Sequence, residues 1–365
     1  MTADDKITVL AAGNGDAIFL EARGKRILTD INYCEAAQDG DEEYPDIGET
    51  IRQACLDDHL HLFVLTHPDE DHLRGFTELF HTGTPETHDP DPDEGYVKII
   101  IDEMWCSPYG AEPNYTTDVS KPVIQEIQRR RTLHGTAAGE KNGNRLRILD
   151  AMNTPSGEFA RGIHWELLAP NPAEAKIPEG EDDNRPSSNP SSLVIRWAID
   201  VDGRDNLILL GGDSTADVWE RIRKDNHESS PGRLAWNILV TSHHTSRYTL
   251  GRKDENDQFH YSDDAIDALS GQQGTGWIVS SSKKILNDDD DPPSWSAKQR
   301  YLKILANGGE VNDDVKSRFL CTGDQDNGKP GNVVFYLTKR GPSQSRGGPK
   351  TSSLVSSVGR GGSYG

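Results

Sequence analysis

The 365 residues carry 60 Asp and Glu against 39 Lys and Arg, a formal charge of −21, and 33% of them are hydrophobic. That apolar share supports one large two-layer core or two modest domains and excludes a structureless chain, while the charge argues against broad attraction to nucleic acid but leaves a local basic groove open. No apolar run approaches the roughly 20 residues that span a bilayer, and the acidic opening at Asp4 and Asp5 lacks the order of a signal peptide, so a cytoplasmic protein with no membrane association is expected.

In chain order, residues 7–10 read as a strand entering the glycine-bearing loop 11–16. Residues 17–22 and 26–30 flank a Gly24-Lys25 turn as a hairpin. Residues 47–60 have helical spacing through Ile47, Ile51, Ala54, Cys55 and Leu56. Leu62, Phe63, Val64 and Leu65 form a wholly apolar strand that ends at Thr66 and His67. A strand at 97–101 and a helix at 119–131 follow, then strands at 163–168, 193–197 and 207–210. After a Gly-Gly-Asp turn comes a helix at 217–223, then a strand at 238–240. Strands at 277–280 and 333–337 enclose a helix at 296–306. Two groups of strands, each followed by helices, predict an α/β protein with two sheets packed face to face and helices outside.

Residues 1–340 read as one domain. The Gly/Ser-rich tail 341–365, with Arg346, Lys350 and Arg360, cannot offset its ordering entropy and is expected to be disordered, with weak binding of an anionic partner open to it. The acidic runs 89–94, 179–183 and 288–291 read as solvated loops, and the acidic surface as a place for a protein partner. Cys34, Cys55, Cys106 and Cys321 include no Cys-x-x-Cys pair, which leaves reduced, partly buried thiols rather than disulfides or a thiolate zinc site.

The densest chemical signal is His67-Pro68-Asp69-Glu70-Asp71-His72, directly after the 62–65 strand. A loop at the C-terminal end of a strand can turn several side chains towards one point, and imidazole with carboxylate suits Zn²⁺, Mn²⁺ or Fe²⁺ rather than Ca²⁺ or Mg²⁺. Two distant strands end alike: 207–210 runs into Gly211-Gly212-Asp213, and 238–240 into Ser242-His243-His244. Three strand ends with ligand-type residues predict a centre holding one or two divalent ions, Zn or Mn, with Asp213 able to bridge and His243 to complete the second site.

The order His-x-Asp-x-Asp-His, Gly-Asp, Ser-His-His resembles the metallo-β-lactamase superfamily, and within it the soluble hydrolase domain of ComEC-type DNA-uptake proteins and their free-standing relatives. Residues 12–18 resemble the family's Val-Gly-Gln-Gly-Asp-Ala loop, which carries Asp16 here. Residues 27–30 resemble its Leu-Ile-Asp strand, whose aspartate, Asp30 here, supports the metal site from behind. Residues 189–194 resemble its Asn-x-Ser-Leu-Val segment. The resemblance implies an αββα sandwich, with His67 and Asp69 on a first metal, Asp71, His72 and His243 on a second, and Asp213 between them. His244 would contact a phosphate or protonate the leaving group, or else hydrogen-bond a backbone carbonyl. Where many members supply a third histidine to the first metal this chain has Asn189, a weak ligand, so that site is expected to be loose, Mn²⁺-selective or empty. His164 reads as a strand residue rather than a substitute. The family's late Asn-x-x-Gly-His-Pro loop has lost its histidine at 287–293.

The implied reaction is hydrolysis by a metal-bound hydroxide, carried by Asp71, Asp213 and His244. The resemblance points to a phosphodiesterase, in particular a nuclease. A hydrolase of a small ester, lactone or nucleotide, or a non-catalytic metal-binding scaffold, stays open. Arg129, Arg130 and Arg131, with Lys283 and Lys284, are the candidate contacts for a nucleic acid or small phosphodiester; the arginines also fit an ordinary helix surface.

Overall fold

Alternating burial along the strands sets the layers of this molecule. A computed structural model of the chain describes residues 4–33, 44–92, 95–112, 117–176, 187–226 and 231–345. Its strands begin with β1 (Lys6–Val9), β2 (Ile18–Ala22), β3 (Lys25–Thr29), β4 (His59–Leu65), β5 (Ile100–Cys106), β6 (Arg145–Ile148), β7 (Ser156–Ala160) and β8 (Ile163–Ala169). They continue with β9 (Val194–Val201), β10 (Arg204–Leu210), β11 (Trp236–Val240), β12 (Gly251–Lys253), β13 (Phe259–Tyr261), β14 (Gln272–Ser280), β15 (Phe319–Cys321), β16 (Val333–Tyr336) and β17 (Ser343–Gln344). The helices are α1 (Ile47–Ala54), α2 (Phe76–Leu79), α3 (Ser120–Leu133), α4 (Ala216–Asn226), α5 (Asp263–Ala268), α6 (Trp295–Ala306) and α7 (Asp313–Ser317).

The first sheet has the order β17-β16-β1-β2-β3-β4-β5-β6 and the second β15-β14-β11-β10-β9-β8-β7, with β12 and β13 paired as a separate hairpin. Both large sheets are mixed: β3 to β6 run parallel in the first, and β10, β11, β14 and β15 in the second. In β4, Leu62 and Val64 join Ile195, Trp197, Ile208 and Val240 in the core between the sheets. Phe63 and Leu65 point the other way, into a cluster with Ile51 of α1, Phe76 of α2 and Ile127 of α3. The second sheet repeats the pattern, with Leu209 and Leu239 clustered with Trp219 of α4 and Tyr301 of α6. This is the αββα sandwich of the α/β class. Trp105 of β5 links the sheets: its ring stacks on Trp197 at 5.8 Å and meets Trp165 at 5.0 Å.

The structure departs from the sequence reading in several places. The helix expected over 47–60 stops at Ala54; Asp58 has a left-handed φ of 58° and β4 has begun by His59, so Leu60 is buried from a strand. The strand expected at 97–101 starts at Ile100 and continues to Cys106 through two buried carboxylates. Asp102 pairs with His59 at 2.7 Å and Glu103 accepts from the Trp105 indole at 2.6 Å, so their charge concealed a buried strand. The tail enters the fold at its start, because Ser343 and Gln344 pair with β16; residues 346–365 lie outside the described residues. Cys34, the acidic run 179–183 and Glu94 lie outside them too. Cys55, Cys106 and Cys321 are free and fully buried rather than partly so, and burial pushes the Cys55 and Cys106 thiols up to about 12. Among the described residues no helix is long and apolar enough to cross a membrane.

The arginine cluster on α3 is corrected as well. Arg130 is 2% exposed; its guanidinium donates to Glu126 Oε1 at 2.7 Å and to the carbonyls of Ile101 and Arg145. Arg129 donates to Glu126, Asn144 and the Gly143 carbonyl. Both fasten α3 to the sheet edge, and only Arg131 is exposed. Glu126→Ala would leave Arg130 a buried cation without its carboxylate, and is expected to lower the unfolding free energy by about 3–5 kcal/mol. The urea midpoint reads this directly; an unchanged midpoint would mean that the carbonyl acceptors suffice alone.

Candidate metal centre

The C-terminal ends of parallel strands from both sheets meet at one edge of the sandwich, the position where open parallel sheets gather ligands. After β3, Asp30 takes a left-handed φ of 56°. After β4, Thr66 and His67 lead into a short turn of helix, Glu70–His72. After β10, Gly211 and Gly212 precede Asp213. A Cβ on Gly211 would lie 2.0 Å from Ser242 Oγ, and one on Gly212 2.9 Å from the Thr66 Cβ. Glycine at both positions lets Asp213 reach the interior edge. After β11, His243, His244 and Thr245 have successive left-handed φ values of 50°, 51° and 69°. Each such non-glycine residue costs of order 1–3 kcal/mol, and strain of this kind gathers where a site demands it.

Asp213, almost fully buried, stands between two groups of donors. Its Oδ1 faces His72 Nε2 at 3.2 Å and His244 Nε2 at 3.6 Å, and Asp71 Oδ2 lies 3.2 Å from His244 Nε2. The donors of Asp71, His72, Asp213 and His244 all fall within 4.8 Å of one another. Its Oδ2 faces His67 Nε2 and His243 Nε2, each at 3.7 Å, and Asp69 Oδ2 lies 3.6 Å from His67 Nε2. The sequence reading paired His243 with Asp71 and His72. The structure puts His244 there and turns His243 towards the oxygen that His67 faces.

Three of these histidines are held from behind. His72 Nδ1 donates to Asp30 Oδ2 at 2.7 Å, His67 Nδ1 to Thr66 Oγ1 at 3.1 Å, and His244 Nδ1 to the Ser281 carbonyl at 3.0 Å. Thr66 in turn donates its amide and hydroxyl to Asp30. With Nδ1 the donor, each ring when neutral would present its Nε2 lone pair inward, as metal-bound histidines do. His67 Nε2, His72 Nε2, His244 Nε2 and Asp213 Oδ1 are nonetheless buried without a hydrogen bond. Buried polar atoms are rarely left so, and three imidazole nitrogens converging on one carboxylate fit divalent cations, with a donor set that suits zinc or manganese.

The electrostatics agree. Burial disfavours charge on His244, yet Asp213, the contact with Asp71, and Asp16 lift its pKa to about 9. Burial likewise opposes charge on His72, but Asp213 and Asp30 hold its pKa well above the ordinary value. Burial raises Asp213 while His244, His72 and His67 outweigh it and keep the carboxylate ionised. The array demands positive charge at its centre.

The other expected residues are placed as follows. Asp16 is buried 3.7 Å from His244 Nδ1, and burial raises its pKa to about 6. Asn189 is buried in a short turn, Asn189–Ser191, beside the site. Its neighbour Ser188 makes the contact the sequence did not signal, donating its hydroxyl to Asp69 Oδ1, and Ser192 Oγ accepts the Asp213 amide at 3.1 Å. His164 is exposed on β8, 3.9 Å from Glu158. Lys284 pairs with Asp324 at 3.1 Å, whereas Lys283 is exposed, its amide held by Asn14 Oδ1. The late loop is not wholly solvated: Asp291 is buried against Arg247 at 2.9 Å, and Asn14 donates to the Pro292 carbonyl at 3.0 Å.

No protein-family model matches the chain, and no curated protein matches it. Among solved structures it is similar to a mutant of CmlA beta-hydroxylase, at 12% identity over 92% of this chain and 55% of that one, with a TM-score of 0.43. The chain thus spans about half the length of that relative. It is also similar to unliganded yeast PDE1, at 10% identity over 92% of this chain and 99% of that one (TM-score 0.44). A third is the metallo-beta-lactamase fold protein YhfI from Bacillus subtilis, at 11% identity over 91% and 99% (TM-score 0.41).

Two outcomes follow from the geometry. Added Zn²⁺ or Mn²⁺ should raise the thermal midpoint reversibly with chelator, with about 2.7 kcal/mol gained at 100 times the dissociation constant; a midpoint indifferent to metal would contradict the site. Asp30→Asn replaces one of the two acceptor oxygens behind His72 and Thr66 with a donor and removes the charge, and should weaken the ion held by His72 by about 10–100-fold in competition with a chromophoric chelator. Unchanged affinity would show that Asp30 only braces Thr66.

Proposed function

We propose that this protein is a metal-dependent hydrolase of phosphodiesters, with polynucleotides its leading substrate class. The observation that carries the reading is the set of buried, unpartnered imidazole nitrogens converging on both oxygens of one carboxylate, Asp213. Two bound divalent cations would supply an acidified water and neutralise charge on the phosphate oxygens. Asp213, shared between them, would fix their separation. Asp69, Asp71 and His243 are part-exposed where His67, His72, Asp213 and His244 are buried, and would face the side from which substrate reaches the centre. His244 is buried, its Nδ1 is taken by the Ser281 carbonyl and its unpartnered Nε2 faces Asp213 and Asp71, so its place is among the ligands rather than at a leaving group. Lys283, two residues beyond the Ser281 carbonyl that holds His244, offers the rim a cation that has no partner among the described residues.

A small phosphodiester, ester or nucleotide is the second reading, favoured by the internal pairing of Arg129 and Arg130, which takes two of the three clustered arginines away from substrate.

Asp213→Ala and Asp71→Ala are expected to abolish hydrolysis of DNA, RNA and bis-p-nitrophenyl phosphate while leaving the far-ultraviolet circular dichroism unchanged, because each removes a donor and little core volume. Activity at the wild-type level in either would refute the assignment. Lys283→Ala should raise KM for oligonucleotides several-fold and change turnover of the small diester little. If wild-type protein cleaves only the small diester, the second reading takes over.

A further inference from the structure

We infer that the adjacent histidines serve different cations: His243 completes one position with His67, Asp69 and Asp213 Oδ2, and His244 completes the other with Asp71, His72 and Asp213 Oδ1. This rests on the two-cation reading above and assigns to His243 a place that the motif resemblance left to Asn189.

The distances separate the two rings. His243 Nε2 faces Asp213 Oδ2 at 3.7 Å, as His67 does, while His244 Nε2 approaches Oδ1 and Asp71. The ring centroids are 6.1 Å apart and the planes lie at 75°, so the side chains diverge from neighbouring Cα atoms. The left-handed backbone at both residues produces that divergence, and the His243 amide is fixed to the Gly212 carbonyl at 3.0 Å, next to Asp213.

Each position then holds two imidazole nitrogens and two carboxylate oxygens, a composition suited to zinc or manganese. The segment at Asn189 contributes differently: Ser188 donates to Asp69 Oδ1 and leaves Oδ2 towards His67. The two positions are not equal. His67, His72 and His244 have their Nδ1 atoms bonded, whereas His243 Nδ1 is buried without a partner, so the ion at the His243 position should be held more weakly.

The test is ion stoichiometry by equilibrium dialysis with elemental analysis, with stepwise affinities from chelator competition and the visible spectrum of Co²⁺ loaded in Zn²⁺'s place. Asparagine tolerates left-handed backbone, so His243→Asn and His244→Asn are the variants of choice. Wild type should bind two ions of unequal affinity. His243→Asn should weaken the looser ion by about 100-fold or more, beyond what supporting residues cost, and leave the tighter one within a few-fold. His244→Asn should do the reverse, and Asn189→Ala should alter neither. Asp69→Asn and Asp71→Asn follow the same two ions should either histidine variant fail to fold. The inference is overturned if both histidine variants affect the same ion, or if Asn189→Ala removes the looser one. Fewer than two ions in wild type would instead overturn the two-cation reading beneath it.

Discussion

The carboxylate of Asp213 is the constraint around which this edge of the molecule is organised. One oxygen serves His72 and His244, the other His67 and His243, so both groups of donors are indexed to a single side chain. That side chain reaches its place only because two glycines precede it and because Ser192 holds its amide. Displacing it would move the reference point of both groups together. The surrounding structure has the task of keeping Asp213 dry, ionised and still, and the layered core on both faces of β10 does this.

Legibility from sequence followed the strength of the local pattern. Apolar strands ending in His67, in Asp213 and in His243 were readable because buried strands are short hydrophobic runs and their ends stand out. The αββα layering followed from two groups of such strands. Strands that mix charge with burial were not readable: β5 hides Asp102 and Glu103 inside paired partners, and β6 alternates arginine with apolar residues at a half-buried edge. The same blindness affected the arginines of α3. A run of three cations looks like a surface until the acceptors appear, and those lie up to 29 residues away.

The division of labour between His243 and His244 lay beyond sequence for a different reason. It depends on backbone dihedrals at two non-glycine residues, which no periodicity reports. Neighbouring residues of identical type are interchangeable to a motif but not to a left-handed turn. The support behind His244 was equally hidden, since the Ser281 carbonyl carries no side-chain signature, whereas Asp30 behind His72 was legible at its strand end. Ser188 carries no signal of its own, since a serine beside Asn189 reads as an ordinary turn residue.

The donors are drawn from both halves of the sandwich: His67, Asp69, Asp71 and His72 follow the first sheet, Asp213, His243 and His244 the second. The Leu193 amide bonded to the Thr66 carbonyl already stitches the two edges at this level. An ion seated between them would therefore be a crosslink between sheets as well as a reagent. Local opening of either sheet near its C-terminal edge must first release it, so amide hydrogens of β4 and β10 would exchange with solvent as one cooperative unit when ions are present and as two when they are stripped.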